Sequence, residues 1–341
     1  MLSLVVPVYR NEESIVDLVA AIDRLSRAGG AFEAVFVVDG SPDRSLELLQ
    51  DQLRRASFHS QVLALSRNFG SFAAIRAGLA AGVGDVFAVM AADLQEPLEL
   101  VAAFRESLES GRYDVAVGYR DSRADPLRDR IFSVVFWGLY RALIQHEVPR
   151  GGVDVFGCTR AFRDQILMLG ESNSTLVGLI FWLGFRRAEI PYVRQQRQHG
   201  KSAWSFRRKL RYLLDSCFAF SDLPVRLLSV AGLTGIALSL ALGVVILVSR
   251  AVGDITVPGY AATVLTVMFF GGLNSLGIGI LGEYLWRTFE NTKGRPGYVV
   301  LSRAEFSGRP EPVKVQTGSG AGRAGTAAKY PSESDGISTA N

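Results

Sequence analysis

The chain has 341 residues, room for one large domain and something more, and 48% of them are hydrophobic, which is high for a purely soluble protein. Two cysteines, Cys158 and Cys217, with no C-x-x-C pair, argue against a disulfide framework or a zinc site and for reduced thiols in a cytosolic compartment. Net charge is only +4, but Lys and Arg cluster beside an apolar stretch, a pattern that favours anionic lipid over nucleic acid as a partner.

The first 120 residues alternate strand and helix. Met1-Leu2-Ser3-Leu4-Val5-Val6-Pro7 lacks the basic region and cleavage site of a signal peptide and predicts a strand over residues 2–6, ended by Pro7. Asn11-Glu12-Glu13-Ser14 then opens a periodic segment through Leu25, with acidic residues in its first turn as the helix dipole favours. Residues 34–38 make a second strand, Asp39-Gly40-Ser41-Pro42-Asp43 a turn, and a helix follows through Leu53. A third strand is expected at 61–65, a helix at 72–81, a fourth strand at 85–92 and a fifth at 115–117. Solidly apolar strands separated by helices describe a mostly parallel sheet covered on both faces, so the fold class is α/β, doubly wound. A dinucleotide-binding fold would carry G-x-G-x-x-G after its first strand. Here Pro7-Val8-Tyr9-Arg10-Asn11-Glu12 contains no glycine, which argues against hydride transfer.

In an open parallel sheet the ligand crevice lies beyond the carboxyl ends of the strands. Those ends are polar and acidic: Tyr9, Asn11 and Glu12; Asp39, Ser41 and Asp43; Ser66, Arg67, Asn68 and Gly70; Asp93, Gln95 and Glu96. One such loop is ordinary turn and cap chemistry, and Asp93 alone reads equally well as a cap for the helix that Pro97 opens. Four together point to a binding site, with Asp93 the first candidate for touching a substrate phosphate or its metal.

Further along, Arg120, Arg123, Arg128 and Arg130 precede an apolar-aromatic stretch, 131–144. Guanidinium groups grip phosphate at two points and a greasy helix can lie against lipid; an exposed basic loop with a core helix is the bland alternative. Gly151-Gly152-Val153-Asp154-Val155-Phe156 brings one acid into an apolar context. Residues 174–185 are apolar but too short to span a bilayer, and read as a core or interfacial helix. Residues 192–204 hold Arg194, Arg197, His199, Lys201 and Ser202, with His199 a lone histidine among cations rather than a metal ligand.

Arg207-Arg208-Lys209-Leu210-Arg211-Tyr212-Leu213-Leu214 is basic and amphipathic, the form of a helix in the headgroup region. Residues 227–248 and 259–282 are uncharged over 22 and 24 residues, past the roughly 20 that a spanning helix requires. Basic residues crowd before the first span and recur at Arg287, Lys293 and Arg295, so both ends should face the cytosol and the short loop should face out. The organisation expected is a cytosolic domain over 1–205, an interfacial helix region over 206–225, two spans at about 227–248 and 259–284 within 226–286, and a tail over 287–341. Few large apolar residues come after Leu301, which predicts disorder beyond about 302. The expected location is the inner cell membrane, as a multi-pass protein.

In order along the chain, Pro7-Val8-Tyr9-Arg10-Asn11-Glu12, Val37-Val38-Asp39-Gly40-Ser41-Pro42-Asp43, Ser66-Arg67-Asn68-Phe69-Gly70, Ala92-Asp93-Leu94-Gln95-Glu96-Pro97 and Arg197-Gln198-His199-Gly200-Lys201-Ser202 resemble family 2 glycosyltransferases. Within that family they look most like the membrane-anchored enzymes that load a sugar onto a polyprenyl phosphate, the dolichyl-phosphate mannose synthase and bactoprenol glucosyltransferase group. The resemblance covers residues 1 to about 290 and implies a GT-A-like sheet. It implies nucleotide-sugar binding by Pro7, Tyr9, Asn11, Glu12, Asp39, Ser41, Asn68, Gly70 and Asp93, with Asp39 reading the base. It implies Mg²⁺ or Mn²⁺ held by Asp93 and Gln95; a hard ion of this kind keeps several waters and takes further oxygens from phosphate. Arg120, Arg130 and Ser133 would approach the acceptor phosphate, Asp154 would be the catalytic carboxylate, and Arg197 and Lys201 would neutralise the leaving diphosphate.

Two positions depart from the pattern: Val38 and Ala91 stand where the family usually has Asp. Either the substrate diphosphate supplies more of the metal's ligands, or Glu96 helps, or the protein is slow or inactive. A lipid phosphate is already largely anionic at neutral pH, so Asp154 either takes a proton or orients the acceptor or sugar hydroxyls. The implied reaction is inverting transfer of a sugar from a nucleotide diphosphate to polyprenyl phosphate at the cytosolic membrane face. A polysaccharide synthase, with more spans and an aromatic Gln-x-x-Arg-Trp signature, is a poorer match. A non-catalytic homologue that binds nucleotide sugar or a partner transferase stays open, as does a homo-oligomer.

Overall fold

In the computed structural model the chain is described over residues 1–27, 29–122, 137–138, 140–142, 144–149, 152–171, 173–195, 206–252 and 259–308. β1 (Leu2–Val8), β2 (Phe32–Val38), β3 (His59–Leu65) and β4 (Val86–Val89) are parallel neighbours, connected through α1 (Ile15–Arg27), α2 (Ser45–Leu53) and α3 (Ser71–Ala81). α4 (Leu98–Glu109) leads to β5 (Val115–Ser122), and β6 (Val155–Thr159) and β7 (Arg187–Val193) complete that side. With β8 (Val300–Phe306) on the far edge, the eight strands run in the order β7-β5-β6-β4-β1-β2-β3-β8, with β6 antiparallel to both its neighbours and β7 parallel to β5.

Side chains alternate across the pleat, so each strand feeds two cores. Leu4, Val6 and Val8 join Ile15, Leu18, Ile22, Leu49, Leu100 and Phe104, that is, α1, α2 and α4. Val5, Val35, Val37 and Leu63 join α3 and, further on, Phe162 and Ile166 of α5 (Arg160–Met168) with Leu179 and Ile180 of α6 (Leu176–Trp182). Residues 174–185, read as either core or interfacial, therefore carry a core helix.

α7 (Phe206–Phe220) packs Tyr212, Leu213, Cys217 and Phe220 against that second core. The approach is close enough to exclude a side chain on α6: a Cβ at Gly178 would lie 2.2 Å from the Phe220 ring. Thr175, which caps α6 by accepting from the Gly178 N–H at 3.3 Å, also meets Ser216 of α7 at 3.3 Å. The basic helix is thus seated on the second core through its apolar face.

α8 (Leu223–Val252) and α9 (Tyr260–Thr292) come after it, each containing a stretch long and apolar enough to cross a membrane, Leu223–Val245 and Thr266–Thr292. They are not core helices: Leu233 is 67% exposed and Ile278 71%. Arg287 anchors the end of α9, donating to Asp215 of α7 at 2.7 Å, to Glu283 at 2.8 Å and to the Asn173 carbonyl at 3.2 Å.

The largest departure from the sequence expectation is β8. It runs antiparallel to β3 from Leu65↔Val300 to Ser60↔Phe306, so the chain is an ordered strand where disorder was expected from about residue 302. The signal was weak because most of β8 is exposed and its sequence, VLSRAEF, alternates without a strong apolar face. Main-chain pairing supplies what side-chain burial does not, with the Ser66 N–H donating to the Val299 carbonyl at 3.0 Å, and a side-chain bond from Arg303 to Gln61 Oε1 at 2.8 Å adds to it. β8 also covers the edge that β3 would otherwise leave open. Two other strands, β6 and β7, are additions to the five expected, while the fourth strand is shorter and the fifth longer than expected. A protein ended at Gly297 should unfold about 5 °C or more below the full chain in detergent; an unchanged midpoint in differential scanning fluorimetry would show that β8 adds no stability.

Candidate active site

β4, β1, β2 and β3 end side by side, so the loops beyond them form one rim. Its first part is tied together by two carboxylates. Asp43 accepts from Ser41 Oγ at 2.5 Å, Ser45 Oγ at 2.9 Å and the Glu12 N–H at 3.2 Å. Burial works against its charge, but these bonds outweigh burial and hold the Asp43 carboxyl below its ordinary value. The loop after β1 is bound in return: Ser41 Oγ accepts from the Arg10 N–H at 2.8 Å, Ser45 Oγ from the Asn11 N–H at 3.1 Å, and Glu12 from the Arg44 N–H at 3.0 Å. Asn11 Oδ1 accepts from the Tyr9 N–H at 3.0 Å. Pro7 lies within β1, and Tyr9 is 40% exposed just past the strand's end.

Asp39 ties the third loop to the second. Buried at the end of β2, it accepts from the backbone N–H groups of Phe69 and Gly70 at 2.7 and 2.8 Å, while Asn68 Nδ2 donates to its carbonyl at 3.3 Å. Gly40 makes the approach feasible, with φ +56° and a Cβ position only 2.2 Å from the Arg67 carbonyl carbon. Asp39, Ser41, Asn68 and Gly70 are therefore brought together.

The loop after β4 is built differently. Leu94 at φ +53° and Arg10 at φ +56° are the non-glycine residues in the left-handed region among the described residues, and both sit on the rim. Half-buried Asp93 accepts from the Gln95 N–H at 3.4 Å. Gln95 pairs with the segment after β7: the Gln195 N–H donates to its carbonyl at 2.9 Å, its Nε2 donates to the Gln195 carbonyl at 3.4 Å, and the Arg194 guanidinium donates to its Oε1. Glu96 is buried beside them. Burial, then the neighbouring Asp93 and Asp154, push its carboxyl up to about 7 against the pull of Arg194, and its Oε2 has no hydrogen-bond partner among the described residues.

β5, β7 and the residue just before β6 contribute an Arg–Asp–Tyr group. Arg120 of β5 donates through Nε to Asp154 Oδ2 and through a second nitrogen to Oδ1 at 2.9 Å. Tyr192 of β7 donates to Oδ2 at 2.8 Å. Burial, then Asp154 and Glu96, push the Tyr192 phenol up, so it stays a neutral donor. Burial opposes the Arg120 charge, but Asp154 and Tyr192 more than offset it and raise its pKa. Asp154 thus accepts three hydrogen bonds.

The donor set for a divalent cation is thin. Among the described residues no three His, Cys, Asp or Glu side chains group to hold a metal. Asp93 and the unpartnered Glu96 Oε2 offer carboxylate oxygen, and Ala91 offers none. That set fits a hard cation that takes its remaining ligands from water and phosphate, and does not fit an all-protein cage. Arg130, Ser133, Arg197 and Lys201 lie outside the described residues. Ser45 and Tyr192 join the constellation without a sequence signal for their roles, and Arg194, visible in the sequence only as one cation of the 192–204 segment, joins through Gln95. Ser45 opens α2 as an ordinary helix start does, and Tyr192 and Arg194 lie at the end of a strand that the apolar pattern did not reveal.

The sequence profile described as "Glycosyl transferase family 2" matches residues 3–169. An undecaprenyl-phosphate 4-deoxy-4-formamido-L-arabinose transferase of Pseudomonas paraeruginosa is 35% identical, over 92% of this chain and 94% of its own. The chain belongs to glycosyltransferase family 2. This glycosyltransferase is also 29% identical to the bactoprenol glucosyl transferase of Shigella phage SfX, over 89% of this chain and 99% of that one. Among solved structures, glucosyl-3-phosphoglycerate synthase from Mycobacterium tuberculosis, in complex with Mn²⁺ and uridine-diphosphate-glucose, is similar with a TM-score of 0.43 at 18% identity, over 59% of this chain and 72% of that one.

Because Asp43 carries the hydrogen bonds that join the loops of this glycosyltransferase, Asp43→Ala should destabilise it by about 1–3 kcal/mol at pH 7. The Asp43 carboxyl is depressed in the folded state, so its contribution is present above the ordinary carboxylate pKa of about 4 and lost as pH falls through the lower folded value. The gap in unfolding midpoint between wild type and Asp43→Ala should therefore narrow on acidification below pH 4; a gap that stays constant would remove the charge from the explanation.

Proposed function

We propose that this glycosyltransferase moves a sugar from a nucleotide-diphosphate donor to a polyprenyl phosphate at the cytosolic face of the inner membrane, with inversion at the sugar carbon. The observation that carries the reading is the join between rim and helices. α9 ends at Thr292 and β8 begins at Val300, leaving seven residues, at most about 25 Å of extended chain, between the helix end and the strand. The start of β8 pairs with Leu65, the last residue of β3 and the edge of the rim. α8 and α9 then form a hairpin whose two ends lie on the sheet's side of the bilayer, with the rim within reach of the lipid surface. Relatives whose names specify undecaprenyl phosphate or bactoprenol support the acceptor class.

The donor's nucleotide end would lie along the loops joined by Asp39 and Asp43, where Tyr9 offers an exposed ring. Its diphosphate would meet the β4 loop, with Asp93, Glu96 and, by the family resemblance, Gln95 holding Mg²⁺ or Mn²⁺. A bound cation of this kind supplies positive charge to the departing diphosphate. Arg197 and Lys201 would add to that charge, and Arg130 and Ser133 would serve the acceptor.

Arg120 spends two of its N–H donors on Asp154 and keeps others for an acceptor phosphate. The acceptor oxygen is already anionic near pH 7 and attacks the anomeric carbon as the bond to the diphosphate breaks, so no strong base is required. Asp154, already accepting from Arg120 and Tyr192, orients the guanidinium instead of taking a proton.

The experiment is radiolabelled sugar transfer to undecaprenyl phosphate by purified protein, across a panel of nucleotide sugars, with and without EDTA. Product should form with at least one donor and disappear with EDTA. Asp93→Asn should lower turnover by about 100-fold or more, as loss of a charge-stabilising group does. Asp154→Asn should lower it by about 10- to 100-fold while keeping the wild-type pH profile of the residual rate, whereas a general base would take its limb of that profile with it. Lack of lipid product from every donor, with diphosphate binding retained, would favour a non-catalytic member of the family.

A further inference from the structure

Three observations meet at Arg194, the residue after β7, and their meaning rests on the proposed role of the β4 loop as the donor-diphosphate site. The Arg194 guanidinium donates to Gln95 Oε1, the oxygen that the family resemblance gives to the cation. Its Nε is sealed from solvent and has no acceptor among the described residues. Glu96 Oε2, on the residue next to Gln95, is likewise buried with no donor among the described residues, and Arg194 is the positive charge that offsets the repulsion of Asp93 and Asp154 there.

A buried polar group without its partner costs on the order of 1–3 kcal/mol, and more when it is charged. Costs of this kind persist where a ligand completes the set. The missing partners here are of opposite kinds: Nε needs an acceptor, and Glu96 Oε2 needs a donor or a cation. A diphosphate with its divalent cation supplies both at once. The cation cannot take Gln95 Oε1 while a guanidinium faces the same oxygen, and a cation on Glu96 removes the one neighbouring carboxylate whose charge Arg194 offsets among the described residues.

We propose that Arg194 is a positioning residue that covers the Gln95 amide oxygen while the site is empty and transfers to a donor phosphate oxygen when the cation takes that amide. Cation alone then binds poorly, because it competes with Arg194 for both the Gln95 oxygen and Glu96. Cation with diphosphate binds well, because the expelled guanidinium gains a charge-assisted bond. The two ligands are coupled through one side chain, and by linkage each strengthens the other equally. Ala91 fits this arrangement. With one carboxylate fewer than the family pattern, the loop does not gather a cation by charge alone, and coupling to the diphosphate supplies the selectivity.

Two measurements on the full-length protein in detergent test this. Binding of Mn²⁺ alone is read from the electron paramagnetic resonance of free Mn²⁺, and binding of the Mn²⁺–pyrophosphate complex by equilibrium dialysis with ³²P-pyrophosphate. Arg194→Gln should bind Mn²⁺ alone about three- to tenfold more tightly than wild type, and the pyrophosphate complex about tenfold more weakly, equivalent to about 1.4 kcal/mol in the second case. These changes have opposite signs, whereas a merely structural role would weaken both. Arg194→Lys keeps the charge without the fork and should fall between, which preserves the test if Arg194→Gln folds poorly. Equal Mn²⁺ affinity in wild type and both variants, or weakening of both ligands together, overturns the proposal while leaving the donor site standing. Wild type that retains no Mn²⁺–pyrophosphate overturns the site reading as well.

Discussion

The pairing of β8 with β3 is the constraint on which the rest of the molecule's geometry depends. It forms between segments separated by the whole helical hairpin, so the chain closes on itself only after passing through α8 and α9. Together with the α6–α7 contact at Gly178 and Phe220, it fixes the sheet to the hairpin from two directions. Either attachment alone would leave a hinge. The pair sets both the distance and the facing of the strand ends relative to the hairpin.

Within the rim, carboxylates divide into two kinds of work. Asp39 and Asp43 accept mostly from backbone N–H groups and hydroxyls, and their effect is shape: they hold the loops after β1, β2 and β3 as one body. Glu96 and Asp154 interact with Arg194 and Arg120, and their effect is charge. The division runs along the sheet, with hydrogen-bonded shape-setting at the β2–β3 side and charge facing charge towards β5 and β7. The nucleotide-diphosphate donor proposed above has the same asymmetry, a flat polar base at one end and concentrated negative charge at the other.

Much of this architecture was legible in the sequence. The first four strands announce themselves because each is apolar on both faces, and the polar residues that end them, Asp39, Asn68 and Asp93 among them, fall where an α/β sheet puts its crevice. The two long uncharged segments were equally plain. β6 and β7 were not, because five and seven residues of mixed character do not stand out from the loops around them. β8 was hidden for a related reason: an edge strand is held by main-chain bonds, which leave no mark on side-chain pattern. Partners were the least readable feature. Nothing in the spacing of Arg120, Asp154 and Tyr192 says that they meet, because their meeting is a property of strand order.

Arg10 and Leu94, the two rim residues with left-handed backbone, hold that conformation at a cost of about 1 kcal/mol or more each, which the neighbouring hydrogen bonds must cover. Glycine at either place would relax the chain and raise the protein's resistance to heat, yet it would also release the turn from the single shape in which the loops now meet. The molecule is stiffest in outline where it is least comfortable locally, and gains in robustness at those two points would come out of its fit to the substrate.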